Sequence, residues 1–555
     1  MALDLIIRNG TIVDGSGKPG YQADLAIKDG KIVAIGRIDE PADLQIDATG
    51  KIVAPGFVDP HTHYDAQLSW DKMVTPSCWH GVTTAVIGNC GVGIAPCKPE
   101  DRPLAVTDLV NVEAIPENVL NAGIDWRWES FPEFMEANIS GGTAINIGFL
   151  LPLSPLRTFV MGEAASDRAA NAAETDTIAG LLEEAVQAGA LGFSSSQQPN
   201  HIGHHGKPLA SRLTSTEEFH RYASVLKNTP RGAIEIAVTK KLAHLADDEY
   251  QLLEMLLDQS GRHVSWLTLL DLNGAPDAAR QSLNKAAPLA ERGCHAQTVI
   301  RPFLADADLH NPFMFATLPD WGPVFNQTAE RQVEIFSDPG FRKQFKKDMA
   351  GPAAMVGDWN LFEIQKVYHP DLQHLIGQTV QQIADQRGTD GCDTLLDIAI
   401  QDGVRTRFTV AVANSDDDRL QQLICDERVR IGLADGGAHV DMLGEAGYPT
   451  YLLGYWVRER QVMTLERAIQ RITSEPAELF DIRDRGLLKT GLCADVVVFD
   501  ANTVGSDKRP HLVDDLPENG QRMITKARGI EQVIVNGKAI MRDGQMTGAL
   551  PGQRA

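Results

Sequence analysis

Two histidines stand one residue apart in VDPHTHYDAQLSW, from Val58 to Trp70. Side chains two apart along an extended segment face the same way, so His61 and His63 can converge on one point. Imidazoles are good ligands for Zn²⁺, and two of them supply half of a four-coordinate shell. Two polar residues ending a strand would show the same spacing. The pair follows VAPGFVDP directly, which reads as an apolar strand, and that placement favours a metal.

Two more stretches could serve the same centre. In RIGLADGGAHVD, Arg430 to Asp435 reads as a short buried strand with Asp435 at its end. A carboxylate there can complete a metal shell or take a proton from water. It can equally open an Asp-Gly-Gly turn, and spacing alone leaves both readings standing. His439 could bond a ligand or a developing oxyanion, or be a plain loop histidine. In VIGNCGVG, Cys90 follows an apolar run. A thiolate is a strong zinc ligand, although a free cysteine is more often a buried structural residue. HIGHHGK holds His201, His204 and His205 with no regular element to set their geometry. Arg157, in SPLR, is a conceivable carboxylate anchor, with an exposed arginine as the plainer reading.

The elements that must position these groups are legible in outline. The first residues, LDLIIRNGTIVDGSG and ADLAIKDGKIVAIG, place short β-branched runs around Asn9-Gly10 and Asp29-Gly30. The last residues repeat the pattern around Asn536-Gly537 and Asp543-Gly544. Such pairs favour two-residue hairpins, because both positions tolerate positive φ. Both ends are therefore antiparallel β units, expected to join as one small discontinuous β-sandwich domain from residues 1–55 and 481–555. Between them, IAGLLEEAVQAGALGFSSS and LNKAAPLAERGCHAQTVIRP each run from an amphipathic helix through a glycine into an apolar strand. Repeated, that order signals parallel βα units. The candidate strands are IVAPGFVDPHTH, TTAVIGNC, AINIGFLLP, ALGFSSS, AIEIAVTK, HVSWLTLL, HAQTVIRP and VRIGLAD. Eight such strands predict an α/β fold of the (β/α)₈ TIM-like barrel class over residues 56–480, with active groups at the C-terminal strand ends. His263 would then lie at the wrong end. The stretch 301–398 exceeds one helical crossover and reads as an inserted subdomain or lid.

The chain has 555 residues, 43% apolar and 23% charged, with a formal net charge of −23. That balance suits a large globular core and argues against nucleic acid or an anionic membrane, which need a positive face. Seven scattered cysteines and a start too quickly polar for a signal peptide point to reduced thiols in the cytoplasm.

APGFVDPHTH, GVTTAVIGNCG, the ADGGAH segment, TSEPAELF and GLCADVVVFD together resemble the amidohydrolase superfamily, and within it the N-acyl-D-amino-acid deacylases, or D-aminoacylases. The resemblance covers nearly the whole chain. It implies metal-assisted hydrolysis of an amide, with His61, His63 and Cys90 as metal ligands and Asp435 as catalytic base and acid or a further ligand. Four positions of the family pattern depart. The family's histidines at the ends of strands five and six are replaced by AVTKKL and WLTLLD. The lysine of many relatives on strand four is missing from ALGFSSSQQ, and Leu153 stands where a histidine often follows strand three. One metal, rather than two, is the expected outcome. Lys240 or Lys241 could supply positive charge in place of a second ion.

The expectation is a C–N hydrolase with Zn²⁺, one ion per chain, another divalent metal being the alternative. Its substrate is a small-molecule amide of the N-acyl-D-amino-acid kind. Its partners exclude nucleic acid and membrane and leave a homo-oligomer open. Opening of a cyclic amide is the rival reaction, and a non-catalytic scaffold the rival class.

Overall fold

The computed structural model describes residues 3–555 apart from 311, 313–314, 316–317, 319, 326, 352–357, 441–444 and 509. Its centre is one eight-stranded sheet, in which each strand pairs with the next in parallel. The strands are β1 (Phe57–Asp59), β2 (Val82–Ile87), β3 (Asn146–Pro152), β4 (Gly192–Ser196), β5 (Ala233–Ala237), β6 (His263–Leu267), β7 (Cys294–Thr298) and β8 (Val429–Ile431). They fall in the eight runs read from the sequence. β2 to β5 are buried along their whole length, as expected of parallel strands covered on both faces. The helix Ala172–Gln187 shows how cover is supplied. Asn171 and Glu174 cap it reciprocally, and Ile178, Ala179, Leu182, Ala185 and Val186 are its buried residues. Beyond the ends of β1 and β8 the ring is joined by a parallel bridge from Thr62 to Gly436. The His63 amide donates to the Gly436 carbonyl at 2.7 Å there.

Three local expectations change. IVAPGFVDP is two strands, not one: Ile52–Pro55 pairs with Val496–Phe499, and β1 begins only at Phe57. Gly56 lies between them, where a Cβ would stand 2.0 Å from Thr83 Oγ1, so only glycine lets the chain cross so close to β2. β8 stops at Ile431, because Leu433 and Asp435 adopt φ of 55° and 45°; Asp435 therefore sits on a loop. Asn9-Gly10 is a bulge inside the strand Leu3–Ile12 rather than a hairpin. The other three pairs do turn hairpins.

The two ends of the chain share a nine-stranded sheet. Its link is Ile52–Pro55, parallel to Leu3–Ile12 on one side and antiparallel to Val496–Phe499 on the other. By packing, the chain forms two compact units, one of residues 1–270, 278–300 and 421–555, the other of residues 271–277 and 301–420. The first holds the parallel sheet and the nine-stranded sheet. The second holds a three-stranded antiparallel sheet, Phe303–Asp308, Arg407–Ala413 and Phe362–Lys366, on an aromatic core that includes Trp321, Phe336 and Phe345. Among the described residues, no helix is long and apolar enough to cross a membrane.

Candidate metal centre

His61 and His63 follow β1 directly. Thr62 between them turns to β2, its amide and hydroxyl both donating to the Val86 carbonyl, at 3.0 and 2.8 Å. The flanking rings are thereby turned the other way, with centroids 5.2 Å apart and planes at 68°. Cys90 sits in a turn just after β2 with φ of 54°. Its amide donates to Glu235 Oε2 at 2.7 Å, and the Gly91 amide to Ser194 Oγ at 2.9 Å. A Cβ on Gly91 would stand 2.8 Å from the Ser195 Cα, so the glycine of the GNCG stretch is what lets the cysteine turn press against β4. The result is three buried ligand atoms, from His61, His63 and Cys90, all within 4.8 Å of one another.

Asp435 arrives from the far end of the ring. Its Oδ1 lies 3.2 Å from His61 Nε2 and 3.6 Å from His63 Nε2, and Cys90 Sγ lies 3.5 Å from His61 Nε2. Ligand atoms held roughly 2.0–2.3 Å from a tetrahedral ion stand about 3.3–3.7 Å apart. The Cys90–His61 separation fits that spacing, and Asp435 stands as near both rings as a fourth ligand or a base beside them would.

Two further carboxylates complete the surroundings. Glu113, the last residue of the helix Arg102–Glu113, places Oε1 3.4 Å from His63 Nδ1 and Oε2 3.7 Å from His439 Nε2. Glu235, in the middle of β5, places Oε1 3.9 Å from His61 Nδ1. Neither was expected from the sequence. No motif marks Glu113, but a lone charge inside the buried strand AIEIA was a readable signal. Asp59 and Asp65 are buried here as well.

So many buried acids need positive charge. Burial opposes charge on His63, yet Glu113 and Asp435 outweigh it and raise the ring to about 9. For His61 burial prevails over Asp435 and its pKa falls. Burial also works against Asp435, but His61 and His63 hold it well below the usual carboxylate range. Glu235, desolvated, is pushed up to about 8, and Asp65 to about 6. The Cys90 thiol is raised strongly by burial and then by Glu235, Glu113 and Asp435. A thiolate amid these acids needs a cation. His61 Nδ1, His63 Nδ1 and Glu235 Oε1 are also buried without a hydrogen-bond partner.

The remaining sequence candidates separate. The His439 ring faces Glu113, and its amide donates to the Glu113 carbonyl at 2.6 Å. The histidine cluster splits. His201 Nδ1 lies 2.8 Å from Ser196 Oγ, at the end of β4. Burial, then His439 and His63, lower it to about 3, which puts it within electrostatic reach of the centre. His204 bonds Asp108 at 3.0 Å instead, and His205 is exposed. Lys240 does not supply charge to the centre: its side chain is 49% exposed and pairs with Asp248 at 2.6 Å. Arg157 is neither exposed nor an available anchor. It is fully buried, pairs with Glu218, and donates to the carbonyls of Ala210 and Arg168 at 2.9 and 3.0 Å. Beyond β5 and β6, where the family pattern has histidines and this chain was read to lack them, Thr239 and Thr268 bond each other, the Thr268 amide donating to Thr239 Oγ1 at 3.0 Å. Gln198 donates to the Thr268 hydroxyl.

Comparison with known proteins agrees in direction. The pattern described as the amidohydrolase family matches residues 44–338 and 372–541. An uncharacterized protein of Mycobacterium tuberculosis is 30% identical over 98% of this chain and 93% of its own. The D-aminoacylase of Alcaligenes xylosoxydans xylosoxydans is 26% identical over 99% of this chain and 97% of its own. Among solved structures, N-acyl-D-glutamate deacylase from Bordetella bronchiseptica, complexed with zinc and a phosphonate mimic of the tetrahedral intermediate, superposes with a TM-score of 0.62. Its identity is 25%, over 100% of this chain and 99% of that one.

Proposed function

The chain belongs to the amidohydrolase family, and on that premise we propose that it hydrolyses the amide of an N-acyl-D-amino acid or a related N-acyl compound, with one Zn²⁺ held by His61, His63 and Cys90. The observation that carries this reading is the approach of Asp435 Oδ1 to within 3.2 and 3.6 Å of the two histidine Nε2 atoms, on the side from which both rings would bind an ion. Three protein ligands and an open fourth position are the pattern of catalytic rather than structural zinc. A bound ion supplies Lewis acidity to the amide carbonyl and makes water acidic near neutral pH.

The chain's own groups supply the rest. Asp435 accepts the proton of the attacking water and delivers it to the departing nitrogen. Its loop is fixed at Gly436 by the bond from His63, so base and ligand keep one geometry. Thr239 and Gln198 each bond Thr268 beyond β5 and β6, and none of the three offers the imidazole that a second ion would take there. The relatives named D-aminoacylase and N-acyl-D-glutamate deacylase support the substrate class.

The test is metal content and a substrate panel on the purified chain. About one zinc per chain, with release of free amino acid from N-acyl-D-amino acids and loss of turnover on chelation, is the expected result. Turnover confined to cyclic amides would replace the substrate class. A metal-free chain indifferent to chelators would leave only a scaffold.

A further inference from the structure

Resting on that metal-centre reading, we propose that Glu113 and Glu235 are its positioning residues: each holds one ligand histidine by its rear nitrogen, and Glu113 also ties the Asp435 loop to His63. The two rings share one polarity. His61 turns Nε2 toward Asp435 and Cys90, at 3.2 and 3.5 Å, and Nδ1 toward Glu235 Oε1 at 3.9 Å. His63 turns Nε2 toward Asp435 at 3.6 Å and Nδ1 toward Glu113 Oε1 at 3.4 Å. The front nitrogens meet at one point, while the rear nitrogens face carboxylates from two different elements. A neutral imidazole has one N–H. An accepting carboxyl oxygen behind the ring keeps it on Nδ1 and leaves the Nε2 lone pair forward for a metal.

Both acids occupy positions that folding alone disfavours. Glu235 lies inside a fully buried strand. Its Oε2 accepts the Cys90 amide at 2.7 Å, while its Oε1 and the facing His61 Nδ1 both lack hydrogen-bond partners. These two complementary orphans need to close by only about 1 Å to make a hydrogen bond. Glu113 ends a helix, where the backbone carbonyls repel a carboxylate, and it is 2% exposed. Local rules broken at buried positions are what functional sites show.

Glu113 has a second arm. Its Oε2 lies 3.7 Å from His439 Nε2, and its carbonyl accepts the His439 amide at 2.6 Å. His439 shares its loop with Asp435, whose carbonyl accepts the Ala438 amide at 3.0 Å. One residue thus sets the tautomer of a ligand and the place of the base.

The experiment strips the full-length wild type, Glu113→Gln, Glu235→Gln and His439→Ala of metal. Each is then titrated with Zn²⁺ against a chromophoric chelator, with the melting temperature of each stripped protein recorded beside it. Both Gln variants are expected to bind zinc about 10–100-fold more weakly with the metal-free melting temperature retained. At saturating zinc, Glu113→Gln and His439→Ala should lower kcat more than KM, and His439→Ala should keep wild-type zinc affinity. Should a Gln variant fail to fold, Glu113→Asp and Glu235→Asp take its place, since a shortened carboxylate must also lose grip on its ring. Zinc affinity equal to wild type overturns the role of whichever acid was changed. A wild type with no zinc affinity overturns the metal reading itself, and this inference with it.

Discussion

Asp435 Oδ1 stands 3.2 Å from His61 Nε2, a contact made by the two chain segments that follow the first and last strands of the ring. The carboxylate approaches the same two ring nitrogens that would bind an ion. It lies outside the group of three ligand atoms that cluster within 4.8 Å. Asp435→Asn keeps the shape and removes the proton acceptor. It should cost about 10²–10⁴-fold in kcat while zinc per chain stays at the wild-type level. Turnover of an N-acyl-D-amino acid beside metal analysis decides this. Zinc lost in step with activity would make Asp435 a ligand before anything else.

Gly437 has φ of 90°, and a Cβ there would stand 2.8 Å from the His63 carbonyl. Gly437→Ala must therefore move the loop away from His63. Both zinc affinity and kcat should fall together, unlike the Asp435→Asn case, and the same two measurements report it.

Lys240 spends its charge on Asp248 at the surface. Lys240→Met should leave kcat and KM within about twofold of wild type, as for surface changes generally. A large loss in steady-state assays would return this lysine to the centre.

Arg157 and Glu218 form a fully buried ion pair. Removing one partner strands the other charge, so Arg157→Met should destabilise the fold by about 3–5 kcal/mol. Thermal or urea unfolding measures it. A normal melting curve with a raised KM would instead support Arg157 as a substrate anchor.

His295, on β7, is held near 3 by burial and then by Arg430, whose Nη2 lies 3.0 Å from His295 Nε2. The folded state disfavours the protonated ring, so its contribution is complete above the unfolded pKa of about 6.5. It is lost as pH falls from there toward 3, because the unfolded chain binds the proton first. His295→Gln should flatten the acid limb of stability against pH in that window. An unchanged limb would mean that other groups set it.

What could be read directly were features that depend on neighbours in sequence. The eight strands, three of the four terminal hairpins and the pairing of His61 with His63 follow from apolar runs, from Asx-Gly turns and from a period of two. Cys90 was found because it follows an apolar run and lies in the GNCG stretch that carries the family resemblance. Local pattern failed where contact with a distant segment overrides it. Gly56 breaks an apolar run because Thr83 presses on it, and Asn9-Gly10 is a bulge because the strand continues past it. Arg157 looked like surface until Glu218 met it.

The amino-acid sequence by itself determined the barrel class, the union of the two ends and the candidate metal-binding side chains, since periodicity and side-chain chemistry are local properties. Only the tertiary structure decided which acids stand behind the histidines, that Asp435 leaves its strand to reach them, and that Lys240 stays outside. Those outcomes depend on distances between segments far apart along the chain, which close only when the ring is joined between Thr62 and Gly436.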